Sequence, residues 1–213
     1  MTATNRSYRW LFWTMALFGF VADQTSKYGI FAWLHSRGPS VVVPNHFDLV
    51  APYTDQVWVG EGIVHQLRTI SAPNVPHLNH GALFGIGNNT DFGNYFFLGV
   101  SLAAALAIAI WSTRPSAGRD RYLCFALGLI LAGTLGNFYD RVIFGGVRDF
   151  LHAFNLPLPF GLDNWPVFNV ADCCLVCGAG LLVLEAFFRK PVGEGPIQET
   201  ATAAVSESTA TSS

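Results

Sequence analysis

Long apolar runs, separated by stretches rich in polar residues, Pro and Gly, are the strongest pattern in this chain. About 20 consecutive apolar residues cross the hydrocarbon core of a bilayer, so these runs predict transmembrane helices. Arg6 and Arg9 precede the first run, as in a signal peptide. That run has no small-x-small cleavage site before its polar patch and continues beyond the patch, so we interpret it as a retained helix. The four predicted helices cover about residues 8–34, 95–111, 122–139 and 168–188.

The stretch from about residue 35 to residue 94 has a different composition, with Pro residues, short β-branched runs and scattered polar side chains. Residues 41–43, 56–59 and 62–67 are strand-like in composition and are separated by turn residues. The stretch ends in a turn-rich apolar segment, residues 79–85, which we place at the membrane surface. The sequence therefore predicts an all-α membrane protein with four transmembrane helices and a small extramembrane β-rich platform.

Basic residues predict the orientation of the helices. Arg114, Arg119 and Arg121 lie in the short loop between the second and third helices, and two more basic residues, 189 and 190, follow the fourth helix. By the positive-inside rule this loop and both termini are cytoplasmic, which places the platform and residues 140–167 on the outer face. Residues 191–213 are nearly free of large apolar side chains and predict a disordered cytoplasmic tail behind a membrane domain of residues 1–190.

Composition agrees with a membrane protein and excludes some partners. The 213 residues are 51% hydrophobic and only 12% charged, against about 25% charged residues in a soluble domain. The net charge of −2 comes without a basic stripe, so we expect no nucleic-acid partner. Cys174 and Cys177 form a C-x-x-C without a second Cys or His pair, so no metal site is expected. All four cysteines (Cys124, Cys173, Cys174 and Cys177) lie in apolar runs and are expected to be buried packing residues.

Polar residues gather where the third helix ends and the fourth begins. Asp140, Asp149 and Asp172 lie there with the amides of Asn137 and Asn169. A carboxylate near the hydrocarbon region costs about 2.5 kcal/mol or more, so the cluster predicts a functional site. The alternative is that these residues are ordinary interfacial helix ends. The predicted topology brings the aspartate at 23 and the asparagine at 79 to the same outer face.

Two carboxylates that face each other in a shielded cleft share a proton, so that one acts as a general base on water and the other as a general acid. This chemistry needs neither metal nor cofactor. We favour Asp149 and Asp172 as the pair, but the residues separate Asp140 from Asp149 only weakly as the partner of Asp172. Asp140 is followed by Arg141 and suits a structural ion pair or a substrate-orienting group. The adjacent Ser26 and Lys27 point in different directions on a helix, which argues against a Ser-Lys hydrolase.

Five motifs, in order between about residues 10 and 188, resemble those of the bacterial lipoprotein signal peptidases (signal peptidase II). They are Asp-Gln-Thr-Ser-Lys at 23–27, Asn-His-Gly-Ala-Leu-Phe-Gly at 79–85, Gly-Asn-Phe-Tyr-Asp-Arg at 136–141, Val-Arg-Asp-Phe at 147–150 and Phe-Asn-Val-Ala-Asp at 168–172.

The resemblance implies an intramembrane aspartic endopeptidase of the bacterial cytoplasmic (inner) membrane. Its substrate would be a diacylglyceryl-modified prolipoprotein in the membrane lipid, cut just before the lipidated cysteine. The resemblance also implies a catalytic dyad of Asp149 and Asp172, no metal or other cofactor, and a monomer. The residues that it assigns to binding and orienting the substrate are Asp23, Lys27, Asn79, Gly81, Asn137, Asp140, Arg141, Asn169 and Ala171.

The sequence departs from the family in the longer segment before Asn79, the longer loop between Asp149 and Asp172, and the added tail. Ala132 also replaces a glycine that is common in the family, at little cost in a helix. Two other functions remain as alternatives: a small proton-coupled transporter and a non-enzymatic membrane scaffold. The first is disfavoured because the acids lie at one face rather than near the midplane and the halves show no internal repeat.

Overall fold

Helices make up most of the part of the chain that the structure, a computed structural model, describes: residues 6–81, 91–155 and 165–188. The predicted tail, and most of the predicted apolar segment at 79–85, lie outside these residues. The helices are α1 (Arg9–Arg37), α2 (Gly62–Thr69), α3 (Asp91–Ser112), α4 (Pro115–Gly118), α5 (Arg121–Phe144) and α6 (Val170–Phe188). The strands are β1 (Ser40–Val43), β2 (Phe47–Leu49), β3 (Tyr53–Val57), β4 (Asn74–Pro76) and β5 (Leu151–Ala153).

Helix α5 is the centre of the fold, with α1, α3 and α6 packed along it. Asp120 caps its start by accepting hydrogen bonds from the backbone amides of Tyr122 and Leu123 at 3.0 and 3.1 Å. Gly145, in the left-handed conformation with φ 82°, ends it. The helix is longer than predicted, so the aspartate at 140 and the arginine at 141 lie inside its last turns rather than after them.

Small residues let the helices approach closely, as is usual where the packing partner is surrounded by lipid. A Cβ on Gly19 of α1 would lie 2.7 Å from the Cβ of Ala132 on α5, so the absent side chain at 19 accommodates the alanine at 132. A Cβ on Gly133 would collide with the carbonyl oxygen of Ala171 on α6. The spacing of α1, α5 and α6 is therefore set by glycines, which have no side chain.

Helix α1 buries three polar residues among apolar ones on its inner face and turns large apolar side chains outward. Its outward-facing Trp10, Trp13 and Phe18 are 63%, 56% and 67% exposed, the reverse of a soluble helix. Three helical segments of the described residues are long and apolar enough to cross a membrane, Phe92–Ser112, Arg121–Phe144 and Val170–Phe188. Helix α1 is not among them, and its buried residues include the polar Asp23, Gln24 and Lys27.

Two small antiparallel sheets lie beside the ends of the helices. One has the order β1-β2-β5 and the other pairs β3 with β4. In the first sheet Phe47 pairs with Ala153 and Leu49 pairs with Leu151. Because β5 begins two residues after Asp149, this sheet fixes the backbone next to one of the predicted catalytic acids.

One predicted strand is wrong: residues 62–67 belong to helix α2. Their β-branched composition resembled a strand, but contacts at the end of the helix outweigh that local preference. The Nε of Arg68 donates to the carbonyl of Ile143 at 2.5 Å, and its guanidinium lies 4.7 Å from the centre of the Trp58 ring. The predicted strands at 41–43 and 56–59 overlap β1 and the end of β3.

Candidate active site

Asp172 is held at the start of α6 by a reciprocal pair of hydrogen bonds. The side-chain oxygen of Asn169 accepts from the backbone amide of Asp172 at 3.0 Å, and Oδ2 of Asp172 accepts from the backbone amide of Asn169 at 3.1 Å. This is the capping-box arrangement, which satisfies two amides that a helix start leaves unpaired. The local sequence therefore directs one carboxylate oxygen of Asp172 toward the helix start and leaves the other, Oδ1, for a different partner.

Asp149 is held between two short stretches of paired backbone. Before it, Val147 exchanges backbone hydrogen bonds of 2.9 Å with Asn79 in both directions. After it, the amides of Phe150 and Leu151 donate to the carbonyl of Phe168 at 3.0 and 2.8 Å. These pairings bring Asp149 next to Asn79 on one side and next to the start of α6 on the other.

Amide side chains connect the two acids. Asn79 donates from Nδ2 to Oδ2 of Asp149 at 3.0 Å, and Asn169 donates from Nδ2 to Oδ1 of Asp149 at 2.6 Å. Asn137 donates from Nδ2 to Oδ1 of Asp172 at 2.8 Å. Asn169, which also caps Asp172, thus contacts both acids.

Asp149 and Asp172 are half-buried and line one cavity of about 830 Å³ with mostly apolar walls. Burial, followed by the negative charge of Asp172, raises the pKa of Asp149 to about 7. The hydrogen bonds from Asn79 and Asn169 oppose this rise because they favour the charged form. Asp149 can therefore carry a proton near neutral pH, as a general acid must.

Arg141 lies in the lining of the same cavity and is only 8% exposed. Its guanidinium donates to the carbonyl oxygens of Gly81 at 3.2 Å and Asn137 at 3.4 Å, and lies 5.5 Å from the centre of the Phe97 ring. The prediction that Asp140 forms a structural ion pair is confirmed, but its partners are Lys27 and Arg148 rather than the adjacent Arg141. On a helix, adjacent side chains point in different directions, and Asp140 faces the other way.

Asp140 belongs to a buried charged cluster behind the cavity, which we define as Asp23, Lys27, Asp140 and Arg148. Its Oδ1 accepts from Nη2 of Arg148 at 2.9 Å, and its Oδ2 lies 3.3 Å from Nζ of Lys27. Lys27 in turn lies 2.9 Å from Asp23, one turn earlier on α1. The four side chains carry two charges of each sign and are at most 1% exposed.

Burial limits what several predicted site residues can contact. Asp23, Lys27 and Asp140 are fully buried and outside the cavity lining, so a direct role in binding substrate does not fit this structure. Ala171 is also fully buried and donates its backbone amide to Oδ1 of Asp23 at 2.9 Å. Asn169 is fully buried against the dyad. The predicted residues that do line the cavity are Asn79, Gly81, Asn137, Arg141, Asp149 and Asp172.

Several residues of the site were missed from the sequence. Among the missed residues Arg148 makes the most polar contacts. Its position directly before the predicted catalytic Asp149 was the sequence feature that could have identified it. Phe97, Trp165 and Val176 form apolar walls of the cavity, and no local pattern pointed to them.

The cysteines at 173 and 177 also line the cavity, and Cys177 is exposed, so the prediction that all four cysteines are buried packing residues is wrong. Within the described residues no group of three or more metal-ligating side chains could hold a metal ion.

Comparison with known proteins identifies a family. The sequence model of the family described as signal peptidase (SPase) II, Peptidase_A8, matches residues 15–188. A lipoprotein signal peptidase of Pseudoalteromonas translucida is 35% identical over 123 residues, which are 58% of this chain and 69% of that relative. The enzyme so named in Ralstonia nicotianae is 43% identical over 114 residues, 52% of this chain and 61% of the relative. The enzyme so named in Methylocella silvestris is 41% identical over 99 residues, which are 46% of this chain and 53% of the relative.

Two solved structures share the fold. Both are described as bacterial membrane enzyme structures obtained by the in meso method, at 2.3 and 1.9 Å resolution. The first has a TM-score of 0.58 at 24% identity and covers 85% of this chain and 92% of its own. The second has the same TM-score at 22% identity, with coverages of 83% and 92%. At this identity the likeness supports the fold alone.

Proposed function

Because this chain belongs to the signal peptidase II family, we propose that it is an intramembrane aspartic endopeptidase. Its substrate would be a diacylglyceryl-modified prolipoprotein, and it would remove the signal peptide by cutting just before the lipidated cysteine. The family and the names of the curated relatives support peptide hydrolysis. The observation that carries the aspartic mechanism is that Asp149 and Asp172 line one cavity and share the partner Asn169.

The two acids would divide the work as base and acid. Ionised Asp172 takes a proton from a water molecule while the water oxygen attacks the scissile carbonyl carbon. Protonated Asp149 donates its proton to the carbonyl oxygen, giving a tetrahedral gem-diol. When the intermediate collapses, the C–N bond breaks, the leaving nitrogen takes up the proton held by Asp172, and a hydroxyl proton returns to Asp149. One proton remains on the dyad at the end of the cycle.

The surrounding side chains would hold the acids and the peptide in place. Asn79, Asn137 and Asn169 donate to the two carboxylates and keep them from rotating away. Arg141 lines the cavity, and its positive charge interacts with Asp149 and Asp172. That charge offsets the single negative charge of a dyad that shares one proton. Gly81, whose carbonyl binds Arg141, brings the backbone after Asn79 to the cavity edge.

The substrate would reach the cavity from within the bilayer. Part of the cavity wall comes from Phe97 on α3 and from Val176 and Cys177 on α6, two helices apolar enough to cross a membrane. The signal helix and the acyl chains of a prolipoprotein already lie in the lipid, so lateral access would leave only the scissile segment to enter the cavity.

We also propose that α1, α3, α5 and α6 are four transmembrane spans in the inner membrane. Helix α1 would be the fourth span, although its apolar content alone does not identify it as one. Its outer face is apolar and its buried face meets α5, as a lipid-facing span requires. The dyad lies at the end of α5 and the start of α6, opposite the basic residues between α3 and α5, which supports a site near the outer face and cytoplasmic termini. The proposal keeps the predicted division into a membrane domain of residues 1–190 with an outer platform at 35–94 and a tail at 191–213, and a monomer.

The proposal is tested with the purified full-length chain in detergent and a prolipoprotein carrying diacylglycerol on its cysteine. We expect a product that migrates faster on a gel and whose new N-terminus is the lipidated cysteine. The Asp172→Asn variant, purified in the same way and shown to be folded, should give no such product. Cleavage at another bond, or no cleavage by the wild-type chain, would contradict the proposed specificity.

A further inference from the structure

A lysine on another helix helps to set which atom of the Asn137 amide faces Asp172. Nζ of Lys27 lies 3.3 Å from Oδ1 of Asn137. An ammonium group has only donors, so the atom of Asn137 that faces it must be the oxygen. The NH₂ group then points the other way, where it donates to Oδ1 of Asp172 at 2.8 Å.

We propose that Lys27 is a positioning residue for the dyad, which acts through Asn137 and Asn169 without touching substrate. The inference deepens the proposed function and rests on it. Lys27 belongs to α1, Asn137 belongs to α5, and Asn169 directly precedes α6. The two hydrogen bonds that meet at Oδ1 of Asn137 therefore also link three helices at the site.

The position of the Lys27 ammonium is fixed by its surroundings. It is fully buried, and its three acceptors are Asp23 at 2.9 Å, Asp140 at 3.3 Å and Asn137 at 3.3 Å. An ammonium has three hydrogens, so these partners use all of its donors. Asp23 and Asp140 together balance the charges of Lys27 and Arg148. The third contact of Lys27, with the neutral Asn137, contributes orientation rather than charge balance.

The second amide is linked to the first. Nδ2 of Asn169 donates to Oδ1 of Asn137 at 3.2 Å and to Oδ1 of Asp149 at 2.6 Å, while its own oxygen accepts from the amide of Asp172 at 3.0 Å. A reversed Asn137 would turn its NH₂ toward the Lys27 ammonium and toward the NH₂ of Asn169. It would also place an oxygen against the carboxylate of Asp172. The orientation seen is therefore the one in which each contact joins a donor to an acceptor.

Loss of the donor at position 27 would remove one of the three contacts that set this preference and leave those with Asn169 and Asp172. The reversed orientation of Asn137 would then be less disfavoured, and in it Asp172 loses the amide donor that holds its carboxylate. We expect a fall in kcat of about tenfold or more, the size expected for a lost hydrogen bond to a charged group. KM should change little, because Lys27 does not line the cavity.

The test compares two substitutions of similar length at position 27, each combined with Asp23→Asn so that the charges of the buried cluster still balance. Asp23→Asn alone, whose cluster keeps the Lys27 donor and carries one excess positive charge, serves as the reference. Asp23→Asn/Lys27→Met removes the positive charge and the donor, whereas Asp23→Asn/Lys27→Gln removes the charge and keeps an NH₂ donor. Each is purified from membranes, checked for folding by gel filtration and thermal unfolding, and assayed for kcat and KM on the lipidated prolipoprotein.

The proposal predicts that the Met variant loses at least about tenfold in kcat relative to the reference and that the Gln variant recovers most of that loss. Equal kcat in the Met variant and the reference would overturn it. Equal losses in the Met and Gln variants would show that Lys27 contributes only its charge, and failure of both to fold would show that its role is structural; either result would also overturn it. Asp172→Asn separates the two proposals: if that variant still cleaves, the proposed mechanism fails first.

Discussion

Two groups of aspartates lie side by side in this protein and are surrounded very differently. Asp23 and Asp140 are fully buried and face two cations, Lys27 and Arg148. Asp149 and Asp172 are half-buried, line a cavity and receive hydrogen bonds from neutral amides. Buried charges are tolerated when they are paired, and each acid of the first group lies within 3.3 Å of a cation. Among the described residues the second group shares its cavity with one arginine, Arg141, so a shared proton is the simplest way to limit repulsion between its two acids.

The contrast teaches that the number of acids near a membrane interface does not define an active site. The same residue type in two neighbouring motifs can either hold helices together or be placed for proton transfer. Asp140 and Asp149 are nine positions apart, and what separates them is the set of partners: a guanidinium and an ammonium for the first, two side-chain amides for the second. Hydrogen bonds from neutral donors leave a carboxyl group able to gain and lose a proton near neutral pH.

The largest expected effect on stability comes from breaking the buried cluster. Arg148 donates to Asp140 from its backbone amide at 2.9 Å and from Nε at 3.2 Å, and its guanidinium lies 3.9 Å from the centre of the Phe144 ring. Arg148→Met would leave Asp140 short of a counter-charge in a dry environment. We expect a loss of about 3–5 kcal/mol in the free energy of unfolding, measured by denaturant titration in mixed micelles.

The matched control for that prediction is Arg119→Met, which removes an exposed arginine and should change stability by less than about 0.5 kcal/mol. If the two variants were equally stable, the cluster would not be what holds the helices around the dyad.

The next effect concerns the substrate and sharpens the assignment of the cavity as the reacting region. A diacylglyceryl group would anchor the cysteine at a fixed depth and place the scissile bond beside Asp149 and Asp172. Binding energy from the lipid would then orient the reacting centre. We expect an unlipidated peptide of the same sequence to lose roughly 100-fold in kcat as well as affinity.

Measuring kcat and KM for lipidated and unlipidated substrates in the same detergent tests this expectation. Equal kcat at saturation would mean that the lipid only concentrates the substrate in the micelle. The orienting role would then have to be abandoned, although the dyad would stand.

A smaller effect is expected from pH. The pKa of Asp149 is raised to about 7, above its ordinary value, by burial and by the charge of Asp172. The acid role needs its protonated form, so kcat/KM should fall as pH rises through about 7, by about tenfold for each further pH unit. Stability changes in the same direction: the contribution of the raised pKa is complete below the ordinary carboxyl pKa of 3.8, declines as pH rises toward about 7, and is gone above that pH.

The rate profile should be recorded between pH 5 and pH 9 on the lipidated substrate, with the thermal midpoint measured in parallel to separate unfolding from titration. A flat profile up to pH 9 would remove Asp149 from the role of general acid.

Much of this arrangement could be predicted from the sequence because its signals are local. The apolar runs gave α1, α3, α5 and α6 to within a few residues, and the polar stretch around the last two gave the acids and amides of the site. The capping of α6 by Asn169 is likewise a short-range property, since the residues involved are three positions apart.

The remaining features depend on contacts between distant residues. Helix α2 forms where its composition suggested a strand, because Arg68 reaches Ile143 and Trp58. Asp140 pairs with Arg148 and Lys27 rather than with the adjacent Arg141, which only the path of the loop after α5 and the packing of α1 reveal. The apolar cavity walls come from separate elements, so no window of the sequence contains them together. Burial of Asp23 and Lys27 also depends on how closely α1 approaches α5.

The most direct test of the account replaces each dyad acid and measures activity and stability together. Asp149→Asn and Asp172→Asn should each lower kcat on the lipidated prolipoprotein by about 100-fold to 10,000-fold, since each removes one partner in proton transfer. The thermal midpoint of both variants should stay near that of the wild type, because neither acid is paired with a cation in the buried cluster. Substantial turnover by either variant would contradict the account, because that acid would then not be required for proton transfer.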